Sequence, residues 1–231
     1  MLSVLVAYIL ADVLLVSVLD QLREQGGLFS LQKFTANELA AVRVMVLSVL
    51  NPALAMTVSV VVIKSYLPGE TIGSRLNRFG FKGQPTTKLL IASFMGGVVY
   101  VLLFSKGLMY FFPPDQFAAP HPAEVINSAS LSGKILFSLG VVAIAPVGEE
   151  FLFRGVLYGG LAQSWNKWAA GLVVSVAFIC IHPGAIESGY WLTHLALYIF
   201  TFLLILVRET TGTLFGSVMM HSGYNFGVVF F

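Results

Sequence analysis

The chain reads as an all-α protein, a polytopic helical bundle built into a membrane. Three features of the sequence predict it. Long apolar runs recur from end to end; only 10% of the 231 residues are charged while 57% are hydrophobic, and the mean hydropathy is +0.87. Soluble domains carry roughly 25% charged residues, so most of this chain belongs in lipid. The third feature is where the few polar residues fall: inside apolar runs, at helical spacing. The length suits one bundle with short loops. A net charge of +2 gives no reason to expect a nucleic-acid partner, and basic residues in such a chain are better read as topology signals.

About seven transmembrane segments follow from the requirement for about 20 apolar residues per span: 1–20, 39–66, 87–112, 131–164, 168–182, 190–207 and 211–231. The first, MLSVLVAYILADVLLVSVLD, has neither a basic leader nor a small-residue cleavage site. It reads as a retained helix, with Asp12 turned toward protein. The second holds an uncharged run from Val44 to Ile63, in which Asn51-Pro52 should place a kink. The loop after it carries Lys64, Arg75, Arg78, Lys82 and Lys88 against the single acid Glu70, so the 64–88 loop and the N-terminus are expected on the cytoplasmic side. Lys167 and Arg208 fall on turns at the same side, whereas Arg23 and Lys33 fall on the opposite side among acids.

In the third segment, Gly96-Gly97 reads as a site of close helix packing, as does Gly159-Gly160 at the end of the fourth. The fourth, from Leu131 to Ser164, would reach about 50 Å at ~1.5 Å per residue, beyond a ~30 Å hydrocarbon core, and Pro146 is its natural kink. Cys180 in the fifth reads as a small packing residue, and His194 in the sixth as a helix–helix hydrogen-bond partner. The chain divides into 1–130, N-terminal helices and loops, and 131–231, a core holding the chemistry, within one membrane domain.

That core contains PVGEEFLFRG, which sets two glutamates and an arginine in the middle of an apolar run. Each charge at a helix centre costs about 2.5–3.5 kcal/mol on insertion scales, and residues placed there at such cost usually face the bundle interior and act there. Glu150 and Arg154 are four apart on one helical face, acid first, the favourable order for an ion pair. Glu149 has Phe153 at the same offset and no local cation. Two acids in unequal surroundings suggest divided roles, with Glu149 the acid/base candidate. In the next segment His182 lies at about the depth of Glu149, counted from a turn at Trp165 to Lys167. The last segment carries HSGYN, with His221 and Asn225 on one face. A glutamate, a histidine and a His/Asn pair on three helices can converge on one buried polar site.

These residues resemble the signature of the type II CAAX endopeptidase family, the CAAX protease and bacteriocin-processing family of membrane proteins. Its motif EExxxR is matched by Glu149-Glu150-Phe-Leu-Phe-Arg154, FxxxH by Phe178-Ile-Cys-Ile-His182, and HxxxN by His221-Ser-Gly-Tyr-Asn225. The matching region runs from about Leu131 to the end of the sequence. The resemblance implies an all-α intramembrane endopeptidase working without a cofactor. In it, Glu149 and His182 activate a water, His221 and Asn225 stabilise the oxyanion, and Glu150 and Arg154 support the site. The implied partners are membrane lipid and a peptide or protein substrate near the membrane, either a prenylated C-terminus or a leader-type peptide.

The residue types suit that chemistry. Hydrolysis of a peptide bond by water needs a base for the water proton and donors aimed at the developing oxyanion. Cys180 and His182, two residues apart, do not share a helical face, which argues against a cysteine protease. Two other readings stand beside this one. A zinc metallopeptidase would use His182, His221 and Glu149 or Glu150 as ligands, but the sequence has no H-E-x-x-H and Asn225 is a poor ligand. A non-proteolytic scaffold, immunity protein or transporter could also carry intramembrane acids and histidines, but no inverted repeat with paired broken helices is visible.

Overall fold

Apolar runs without charge have one good option in lipid, the α-helix, which satisfies every backbone N–H and C=O within the segment. The structure, a computed structural model, describes residues 79–112, 131–180 and 191–231 and scattered positions before 79. Among the described residues the ordered elements are all helical. They are α1 (Thr87–Tyr100, running on through Val101–Ser105 and Lys106–Phe111), α2 (Leu131–Leu161), α3 (Lys167–Cys180), α4 (Trp191–Thr211) and α5 (Leu214–Phe230). Three stretches, Thr87–Phe104, Leu131–Leu161 and Trp191–Thr211, are each long and apolar enough to cross a membrane. The protein is a helical membrane bundle. The expected spans 1–20 and 39–66 apart from scattered positions, the Asn51-Pro52 kink, Asp12, and Lys64, Arg75 and Arg78 of the basic loop lie outside the described residues.

The fourth expected segment neither breaks nor stops at Pro146. Leu131–Leu161 is one helix, about 45 Å long at ~1.5 Å per residue, so it tilts across a ~30 Å core or protrudes from it. Proline lacks an N–H and its ring crowds the carbonyl four residues back. In α2 that carbonyl belongs to Val142, inside a π-helical stretch, Leu139–Ile144, which ends just before the Ala145–Glu150 turn carrying Pro146. The wider π turns make room for the ring without a break. A second π-helical stretch, Phe151–Tyr158, follows the two glutamates and is buried at every residue.

The sixth segment runs a turn further than its apolar run, to Thr211, because its charged end has partners. The Arg208 guanidinium lies over the Tyr158 ring at 4.8 Å and Glu209 Oε2 accepts from Lys167 Nζ at 2.7 Å. Gly212, at φ +68, ends the helix, and the Thr213 side chain caps α5 by accepting from the Phe215 N–H.

Glycines set the closest packing. A Cβ on Gly97 would run into the Met220 carbonyl oxygen and the Tyr224 nitrogen, and one on Gly223 into the Phe94 carbonyl. The α1 and α5 backbones therefore touch across this pair. Gly96 is not part of the crossing: a Cβ there would meet nothing within 4 Å. Gly159 makes room for a side chain rather than a helix, the Arg208 guanidinium, at 3.2 Å from a Cβ. The Tyr100 hydroxyl donates to the Ala196 carbonyl at 2.6 Å and ties α1 to α4. Cys180, expected to pack, is exposed at the end of α3.

Residues Phe79–Gly80–Phe81, from the end of the basic loop, seat against the same end of the bundle as Lys167 and Arg208. Gly80, at φ +95, turns its carbonyl to accept from the Leu214 N–H at 2.8 Å and from Thr213 Oγ1 at 3.2 Å. Phe79 packs edge-on to Phe151 at 5.2 Å between ring centres. Exposed Trp165 and Trp168 lie at this end, and exposed Tyr110, Phe111 and Trp191 at the other. Aromatic rings at both ends of a bundle mark the two membrane interfaces.

Candidate active site

Glu150 and Arg154 pair along α2, as their spacing dictates: Arg154 Nη1 donates to Glu150 Oε1 at 2.8 Å, and both side chains are fully buried. Two buried charges are tolerable only when paired and further hydrogen-bonded. The second arm of the guanidinium, Nη2, donates to the Thr201 carbonyl of α4 at 3.0 Å, and its plane lies over Phe178 of α3, 4.7 Å from the ring centre. One arginine thereby joins three helices, using the planar fork that lysine lacks.

The same carboxylate oxygen takes a second donor. Glu150 Oε1 lies 2.9 Å from His221 Nδ1 of α5. The far nitrogen, His221 Nε2, lies 3.6 Å from Glu149 Oε2. The imidazole is thus strung between the two acids. Phe178 and Phe200 meet its ring edge-on at 5.8 and 6.0 Å, and Tyr224 stacks on Phe200 at 4.1 Å. His221 itself is 4% exposed, whereas the Glu149 side chain is 21% exposed. Glu149 is the less buried acid of the pair.

The cluster is deep. Glu149 is about 18 Å from the Leu161 end of α2 and His221 about 10 Å into α5, at ~1.5 Å per residue. At such depth the effective dielectric is low, so charges and dipoles act more strongly than in water.

Asn225, one turn after His221, is held from the other side: its Nδ2 donates to the Val141 carbonyl at 2.8 Å. Val141 lies within the Leu139–Ile144 π-helical stretch. The second N–H of the Asn225 amide is not used by that bond. His182 lies outside the described residues; Phe178, four residues before it, touches both Arg154 and His221. His194 stands apart, with its Nε2 buried and without a hydrogen-bond partner among the described residues. No three His, Cys, Asp or Glu side chains among the described residues are grouped to hold a metal ion.

Of the residues singled out in the sequence, Glu149, Glu150, Arg154 and His221 meet in one cluster, and Asn225 borders it. The Thr201 and Val141 carbonyls were not foreseen, and nothing could have flagged them, since a backbone acceptor carries no residue-type signal. Phe200 and Tyr224 were also missed; an aromatic in an apolar run looks the same whether it meets lipid or a buried histidine.

Residues 131–227 match the family described as type II CAAX prenyl endopeptidase Rce1-like. A protein of Escherichia coli named only as an uncharacterized 24.3 kDa protein is 28% identical over 126 residues, covering 54% of this chain and 55% of its own. The UPF0177 protein YxdF of Lactococcus lactis subsp. lactis (strain IL1403) is 34% identical over 89 residues, covering 38% of this chain and 45% of its own. The chain spans about half the length of these relatives. No solved structure matches the chain.

Proposed function

We propose, from the premise that residues 131–227 are a region of the type II CAAX prenyl endopeptidase Rce1-like family, that this integral membrane protein is an intramembrane endopeptidase of the glutamate type. It hydrolyses a peptide bond of a membrane-associated protein or peptide, of which a prenylated C-terminus and a leader-type peptide are the two classes to test. The observation that carries the reading is the contrast between the acids. Glu150 is buried and bound to Arg154 and His221, while Glu149 is partly open and faces His221 Nε2 at 3.6 Å.

In this reading Glu149, with His182, takes a proton from water as its oxygen attacks the scissile carbonyl. The free N–H of Asn225 faces the oxyanion as a donor fixed in advance, which costs no reorganisation as charge develops, and His221 adds a second donor once its Nε2 carries a proton. Glu150 and Arg154 hold the histidine. The N-terminus and the 64–88 loop face the cytoplasm, on the loop's excess of basic residues.

The experiment is cleavage of membrane-proximal and lipidated peptides by the protein in liposomes. It compares the wild type with Glu149→Gln and His182→Ala, with and without chelator. Cleavage lost in both variants and indifferent to chelator is the expected result. Loss on chelation, restored by zinc, replaces this mechanism with a metallopeptidase. Activity surviving in both variants removes the catalytic assignment. Absence of cleavage by the wild type, with cellular function retained by Glu149→Gln, favours a scaffold.

A further inference from the structure

Resting on that proposed function, we infer that Glu150 is a positioning residue that fixes the tautomer of His221, placing the ring proton on Nδ1 and leaving Nε2 to receive the proton that Glu149 takes from water. Glu150 Oε1 accepts from Arg154 Nη1 at 2.8 Å and lies 2.9 Å from His221 Nδ1. Paired with a buried guanidinium, Glu150 is a carboxylate, and a carboxylate only accepts. The atom facing it at hydrogen-bond distance must donate, so Nδ1 carries the proton. A neutral imidazole with Nδ1–H has its lone pair on Nε2, and Nε2 points at Glu149 Oε2, 3.6 Å away.

No other element supplies a competing charge among the described residues. Glu149, Glu150 and Arg154 all come from α2. α3 and α4 present Phe178 and Phe200 to the ring, and on α5 itself Tyr224 packs against Phe200 rather than the ring nitrogens. The two phenylalanine rings, packed edge-on to the imidazole at 5.8 and 6.0 Å, limit its freedom to turn over. Orientation and tautomer are therefore set together, by Arg154 acting through Glu150.

The consequence bears on the role of His221. In the neutral state Nε2 accepts and cannot donate to an oxyanion. It becomes a donor only after a proton arrives. The water proton passes from Glu149 to Nε2 as the water oxygen bonds to the carbonyl carbon. The resulting imidazolium lies between two carboxylates and gives that proton to the amine nitrogen as the C–N bond breaks. The order of events thus runs through one histidine, which is a base in the first half and an acid in the second.

The test reads the tautomer directly. The full chain, labelled with 15N-histidine and held in lipid nanodiscs, is followed by NMR through its histidine titration, with the His221 signals assigned by their loss in His221→Gln. The expected spectrum on the alkaline side has Nδ1 protonated and Nε2 bare. The reverse tautomer, a mixture of the two, or both nitrogens protonated to the alkaline limit would each overturn the inference. This readout needs no substrate, so it stands even if no peptide is cleaved. A second variant, Glu150→Gln, keeps the shape and offers the ring both a donor and an acceptor. It should blur the Nδ1–H preference and lower kcat by about 10²-fold or more with KM nearly unchanged, as when a carboxylate that orients a catalytic histidine becomes an amide. A Glu150→Gln protein with the wild-type spectrum and kcat overturns the role given to the carboxylate.

Discussion

Glu150 and His221 are 71 residues apart in sequence and meet at 2.9 Å, between the Oε1 of one and the Nδ1 of the other, in a part of the bundle where both side chains are almost wholly shielded. Because Arg154 bonds the same oxygen, the contact ties the charge on α2 to the ring on α5. Perturbing any of the three groups therefore reaches the others.

Removing the guanidinium leaves a buried carboxylate without its partner. Arg154→Met should destabilise the protein by about 3–5 kcal/mol. Arg154→Lys should recover only part of this, because an ammonium cannot reach Glu150 and the Thr201 carbonyl with the same planar fork. Unfolding midpoints in a single detergent, compared across the three proteins, check the order wild type, lysine, methionine.

Glu149 is partly exposed and its contact with His221 Nε2 is long, at 3.6 Å, so its removal should spare the fold. Glu149→Gln is expected to lower peptide cleavage by roughly 10²–10⁴-fold while leaving the unfolding midpoint within error of wild type. Equal losses of activity and stability would mean that Glu149 holds structure instead of reacting.

Adjacent glycines should behave differently. Gly97→Ala and Gly223→Ala push a methyl into the facing backbone of the α1–α5 crossing, whereas Gly96→Ala points into open space. The first two should reduce the yield of monodisperse protein on size exclusion, and the third should match wild type or exceed it, since alanine favours a helix over glycine by about 1 kcal/mol.

Tyr100→Phe deletes one hydroxyl, the donor to the Ala196 carbonyl. The expected cost is about 0.5–1.5 kcal/mol, read as a small fall in the unfolding midpoint. The ring itself, stacked with Phe104 at 5.0 Å and tilted against Phe200 at 5.1 Å, is kept by the substitution.

What the sequence by itself determined follows from local periodicity and from composition. Apolar runs with so little charge demand helices in lipid, because only a helix satisfies its own backbone there. The offset of four between Glu150 and Arg154 demands a shared face, and the pair forms as that rule requires. The close approach at Gly97 was legible for the same reason: small residues let helices touch. What only the tertiary structure decided concerns the angle of each helix about its own axis and its contacts with backbone. Spacing could say that Glu149 and Glu150 stand about 100° apart on α2; it could not say which of them would take the Nδ1 of His221. That azimuth is set by packing between helices, and in α2 the two π-helical stretches flanking the glutamates shift it further. The Asn225 bond to Val141 and the Arg154 bond to Thr201 end on carbonyls, groups that every residue carries and that only the assembled bundle brings within reach.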